Sequence, residues 1–260
     1  MKTLRLMGLY FRLNMASAME YRVSFLTQAI GMAINNSSFV FFWWVAFQQI
    51  GGTIGGYGFR DVMFIWALVS GCFGLASVLF GNVDRITSLV VSGEFDTYLT
   101  QPKDPLLSMV CARTSFSAWG DFLYGVVLFA LSGQGWKAVP IFVLGLILST
   151  LILTAIGITA HTLSFYIGDA SLAGNMVKQF ILNFSLYPVG IYPQVLRLLM
   201  YTVIPAGFIA HVPLALARGM DWRWFLVWIG ASAVYCVGAW WFFHRGMRRY
   251  ESGNVIVTRL

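Results

Sequence analysis

Residues 23–47, 62–83 and 139–165 contain no aspartate, glutamate, lysine or arginine, and each stretch exceeds the roughly 20 residues a helix needs to cross a bilayer. Further apolar runs occupy 110–131 and 222–243, and another begins near Val177. A water-soluble surface cannot be assembled from such a chain, because 58% of its residues are hydrophobic and only 10% are charged, whereas water-facing shells need roughly a quarter to a third of their residues charged. A lipid-facing shell has the opposite requirement, since each ion exposed there costs several kcal/mol. The pattern predicts an all-α integral membrane protein.

Hydropathy alone leaves six or seven spans open, because residues 177–192 and 194–217 are each apolar enough to suggest a crossing. Pro188, Pro193, Pro205 and Pro213 interrupt them, and proline breaks helices by removing a donor. The net charge of +7 decides between the counts through its distribution. With six spans, Lys2, Arg5, Arg12, Arg22, Arg85, Lys103, Arg113, Lys178, Arg245, Arg248, Arg249 and Arg259 fall inside, leaving Arg60, Lys137, Arg197, Arg218 and Arg223 outside. A seventh span would send the Arg245–Arg249 cluster to the far side, against the positive-inside bias. The expectation is therefore six transmembrane helices, both termini cytoplasmic, with 194–218 forming proline-broken re-entrant outer segments between helices five and six. The same scatter of cations between apolar runs argues against a nucleic-acid groove.

The N-terminal stretch 1–22 places Leu6, Leu9, Tyr10 and Leu13 at helical spacing, with Arg5 and Arg12 on another side. It reads as an amphipathic helix lying at the membrane interface, or as a solvated helix without membrane contact. No short apolar stretch with a small-residue cleavage site follows Lys2, so no removable signal peptide is expected. Residues 51–58 (Gly-Gly-Thr-Ile-Gly-Gly-Tyr-Gly) form a glycine-rich turn. Residues 84–105, which carry Asp84, Arg85, Glu94, Asp96, Lys103 and Asp104 together with Pro102 and Pro105, form the longest polar interruption.

Catalytic signatures are missing. No Gly-Lys dipeptide occurs, which excludes a Walker A phosphate loop. HExxH and GxSxG motifs are absent, His161, His211 and His244 are far apart, and the three cysteines show no CxxC spacing. No catalytic residue and no metal site is expected. Polar residues inside the apolar runs are the remaining candidates. Asn175, Gln179 and Asn183 recur every four positions and share one helix face; they line a substrate path or bond between packed helices. Asn35 and Asn36, with Ser37 and Ser38, allow the same two readings. Asp121 lies about 16 Å into the membrane if its helix begins near Val110, or near the inner end of a helix that begins later. His161 reads as a capping or packing residue, with a proton relay as the alternative. Interface belts and lipid-facing packing account for most of the aromatic residues.

The polar loop also carries a resemblance. Residues 91–106, Val-Ser-Gly-Glu-Phe-Asp-Thr-Tyr-Leu-Thr-Gln-Pro-Lys-Asp-Pro-Leu, resemble the loop of ABC type-2 exporter permeases, as do Tyr187–Pro193, the Ile204-Pro205 step and the closing Arg249-Tyr250-Glu251-Ser252-Gly253. The resemblance spans nearly the whole chain. It implies a single permease domain over 1–260, in the plasma (bacterial inner) membrane, that dimerises with a second copy or a paralogous permease. It further implies a separate ABC ATPase, two copies per complex, that binds the ATP and Mg; this chain would bind no cofactor. The loop 84–105 would be the coupling loop, with Gly93, Glu94, Phe95, Asp96, Tyr98 and Pro102 as its ATPase-coupling residues and Glu94, Phe95 and Asp96 as the contact itself. The implied function is ATP-driven export of a hydrophobic or amphiphilic substrate, drug-like, lipidic or glycan-linked. The rivals are an importer or lipid-flipping subunit of the same fold, and an ATP-independent intramembrane carrier or enzyme.

Overall fold

The computed structural model describes residues 2–20 and 22–251, and among these it contains helices and turns but no strand. Helix α1 (Lys2–Glu20) is followed by the long α2 (Arg22–Ile50) and by α3 (Phe59–Leu79). Three short helices build the polar interruption: α4 (Ile86–Ser92), α5 (Asp96–Leu99) and α6 (Pro105–Val110). Then come α7 (Ala118–Leu131), α8 (Val139–Thr162), the one-turn α9 (Ser164–Ile167) and α10 (Ser171–Leu186). Helix α11 (Gln194–Leu199), a π-helical turn at Gly207–His211 running into α12 (Val212–Arg218), and α13 (Trp222–Met247) complete the chain.

Among the described residues four helices are long and apolar enough to cross a membrane, within α2, α3, α8 to α9, and α13. Their ends follow local chemistry more than hydropathy. Helix α3 begins three residues before the apolar run because the Asp61 carboxylate accepts the Gly58 N–H at 2.7 Å, satisfying an orphan donor of the first turn. Helix α7 begins at Ala118, eight positions after the run that was expected to form it, so Asp121 lies in its first turn. Arg113 lies in the turn between α6 and α7. Helix α10 starts at Ser171, before the expected Val177, and stops at Leu186 because Tyr187 precedes Pro188 and is extended (ψ 145°).

Helix α3 is the enclosed centre, with α2 and α13 at the periphery. It packs against α7 through glycines: a Cβ on Gly125 would lie 2.7 Å from the Gly71 Cα, and one on Gly74 would lie 2.8 Å from the Phe122 Cα. Small residues at such a seam let helix backbones approach where lipid supplies no hydrophobic drive. Helix α1 turns Tyr10 toward the buried cluster around Ile86 and Met109 and leaves Leu9 and Leu13 exposed. The side chains of Arg5 and Leu6 lie outside the described set, as do Ser252, Gly253 and Arg259.

The segment 190–218 begins and ends at one place. Gly190 sits against Gly55 so closely that a Cβ on Gly55, which has φ +58°, would lie 2.9 Å from the Gly190 carbonyl carbon. At the other end Arg218 bonds Asp61 Oδ1 (2.9 Å) and the Gly56 carbonyl (3.4 Å). Between these ends, residues 205–214 are buried. Pro213 cannot donate a backbone hydrogen bond, which leaves carbonyls one turn before it without their helical partner. Ser149 of α8 donates to the Ile209 carbonyl (2.7 Å) and Trp228 Nε1 of α13 to the Phe208 carbonyl (2.9 Å), as an environment without water demands.

Candidate functional site

The loop 84–105 is folded onto the ends of the long helices around its own apolar cluster of Val83, Ile86, Leu89, Val90, Phe95, Leu106 and Met109. Gly93, at φ +79°, ends α4 and reverses the chain so that the next residues face alternate ways. Glu94 is exposed. Phe95 is fully buried, edge-on to Phe165 (5.6 Å), Phe243 (6.0 Å) and Tyr250 (5.2 Å). The trio expected to contact a partner therefore divides: Glu94 points out, whereas the Phe95 ring is enclosed by its own chain.

Asp96 is half-buried, and its carboxylate lies beside Tyr250. Burial first, and then the neighbouring Asp96 carboxylate, push the Tyr250 hydroxyl up to about 12, so it stays protonated at neutral pH. Tyr98 is half-buried beside Asn82, and Pro102 is exposed. Asp104 caps α6 by accepting the Leu107 N–H at 2.9 Å, and His244 Nε2 of α13 lies 3.4 Å from its other oxygen. Phe95, Asp96 and Asp104 thus fasten the loop to the end of α13, while Glu94, Thr97 and Leu99 remain exposed.

The loop is also fastened to α10. Lys178 Nζ lies 2.6 Å from Asp84 Oδ2 and 5.0 Å from the Phe73 ring centre. One helical turn earlier, a Cβ on Gly174 would lie 2.5 Å from the His161 ring, so the imidazole seats directly on the bare backbone of α10. His161 is fully buried, and its Nδ1 is 3.0 Å from the Thr87 hydroxyl of α4. His161 is thus a packed junction between α4, α8 and α10. Sequence reading missed Gly174 and the Asp84–Lys178 pair; a lone lysine beside an apolar helix run was the available signal.

On α10, Asn175, Gln179 and Asn183 are all exposed, and so are Asn35 and Ser38 on α2. The structure therefore does not bond these amides between packed helices of the same chain. Asn36 differs from its neighbour. Its Nδ2 donates to Asp121 Oδ1 at 2.6 Å, and Ser70 donates to the Asp121 backbone carbonyl at 3.0 Å. Asp121 is 3% exposed, so this node ties α2, α3 and α7 together and gives the carboxylate the partner its burial requires.

Among the described residues no group of histidine, cysteine, aspartate and glutamate could hold a metal, and the three cysteines are free. Residues 33–253 match the family model described as ABC-2 family transporter protein. That stretch contains every candidate residue from Asn35 to Asn183 and leaves out α1. The comparison with curated proteins finds no match.

Proposed function

The chain belongs to the ABC-2 family of transporter proteins, and from that premise we propose that it is the permease subunit of an ATP-driven exporter, worked by a separate ABC ATPase that holds the ATP and Mg. One observation carries this reading: Lys178 joins Asp84 at the root of the loop to α10, the helix whose exposed face bears Asn175, Gln179 and Asn183. A push on the loop has a direct route to an amide-bearing helix.

Three amides on one exposed face are costly against hydrocarbon. They call for water or a polar partner, which supports a second permease copy, or a paralogue, enclosing a translocation path with α10 and the Asn35 face of α2. The six spans of this reading are α2, α3, α7, α8, α10 and α13. The 190–218 segment is re-entrant, since both of its ends meet the 51–58 turn and its helices are too short to cross. Helix α7, at 14 residues, is about 21 Å long and crosses only with its flanks. With the arginine-rich end of α13 inside, the loop is cytoplasmic in a bacterial inner membrane, two ATPase copies engage two permeases, and an amphiphile moves outward.

The coupling contact falls to Glu94 and the exposed residues around it, with Phe95 as the anchor that holds them. Glu94→Ala should abolish transport-linked ATP hydrolysis in the assembled complex while insertion and yield stay normal. Hydrolysis that remains coupled to transport in this variant would remove the assignment.

A further inference from the structure

A cavity of about 570 Å³ opens on the flank of the bundle between α8, α10, α13 and the turn before the π-helix. Ile156, Leu163, Met176, Phe180, Pro205 and Phe242 line it. Its volume falls within the range of about 300–1,000 Å³ that encloses a small ligand. The polar side chains on its wall are spent elsewhere: Thr159 donates to the Ala155 carbonyl (2.9 Å) and Tyr235 to the Thr202 carbonyl (2.9 Å). What remains is hydrocarbon. Met176 and Phe180 are each 60% exposed, so the opening lies on the outer flank of the bundle.

The cavity has a charged end. Phe242 on its wall stacks parallel on Tyr166 (5.5 Å, 4°), and the Arg249 guanidinium lies 4.9 Å over the other part of that stack, at the Tyr166 ring. Arg245 and Arg248 are exposed on the same terminal turns. Among the described residues none of these three arginines is paired with a carboxylate. A dry slot along three helices, whose Phe242 wall stacks on the ring that carries the Arg249 guanidinium, matches one class of molecule: a chain of methylenes joined to a phosphate. We propose that this cavity binds an acyl chain of an anionic phospholipid from the leaflet on the side of the 84–105 loop, with the phosphate at Arg248 and Arg249.

This site adjoins the amide face of α10, since Asn183 lies one turn after Phe180, and it rests on the membrane-spanning reading but not on the direction of transport. Its lining includes Met176, Val177 and Ile181 of α10, the helix joined to the loop by Lys178, so a bound lipid braces the helix that moves.

The test uses the full chain in phosphatidylcholine vesicles carrying a trace of phosphatidylglycerol with a photoreactive group on one acyl chain. Crosslinks should concentrate in 156–163 and 176–181 and exceed those on the exposed outer face of α13 at 226–234 by at least severalfold. Ala160→Phe, which fills the slot, should remove that excess. Arg249→Gln and Arg248→Gln, both surface changes, should keep the chain crosslinks but equalise phosphatidylglycerol with a phosphatidylcholine probe. Uniform labelling of all membrane-facing helices, an excess untouched by Ala160→Phe, or protein–protein crosslinks between copies at 156–163 in place of lipid would overturn the site. Unchanged headgroup preference in both arginine variants would overturn the phosphate assignment. Loss of ATP-driven export alone, with labelling intact, would bear on the exporter reading and leave the lipid site standing.

Discussion

Glu94 and Phe95 are neighbours in sequence and face opposite ways, and the left-handed turn at Gly93 is the cause. Phe95→Ala removes a ring held by Phe165, Phe243 and Tyr250, a loss of roughly 3–5 kcal/mol where such a cavity forms in a core. Limited proteolysis should show the 84–105 loop cut much faster in this variant, whereas Glu94→Ala should be cut at the wild-type rate. Gly174→Val addresses the second buried junction, because its branch meets the His161 ring. Overpacking of this kind costs about 1–3 kcal/mol and should lower the thermal midpoint of the purified protein. Sequence revealed the composition of the loop but not this division of labour. The same three letters, Glu-Phe-Asp, read as one contact until the turn geometry separates them. Asp121 is a similar case: its depth depended on where α7 starts, which the apolar run from 110 misplaced, and its partner Asn36 sits 85 positions away.

Among the helices, α10 joins the loop to the exposed amides through Asp84–Lys178. Reversing either charge should lower the amount of substrate moved per ATP hydrolysed, and the double exchange Asp84→Lys with Lys178→Asp should restore it. Contacting residues in such cycles couple by about 0.5–3 kcal/mol; a double variant no better than the singles would deny the pair its role. The helices themselves were legible as apolar runs, and Pro205 and Pro213 marked the stretch between α10 and α13 as one of short, broken helices. Their ends were not, because caps such as Asp61 on Gly58 and extended residues before prolines act over two or three positions that a hydropathy window averages away. Nor could the sequence say which side chains replace the bond Pro213 withholds. Ser149 and Trp228 come from other helices, and their positions depend on packing.

In the whole molecule, one end gathers the arginine turns of α13 and the folded loop, and the other gathers the 51–58 turn with both ends of the 190–218 segment. The exposed amides of α10 lie between. The chain belongs to the ABC-2 family of transporter proteins, and in the exporter proposed above energy enters at the loop and the substrate leaves at the turn. The most direct measurement is transport of a fluorescent amphiphile by the chain reconstituted with its ATPase in vesicles of known sidedness. Movement toward the side bearing the 51–58 turn, only when ATPase and ATP are both present on the side of the 84–105 loop, is the expected result. Movement without the ATPase, or toward the loop side, would contradict it.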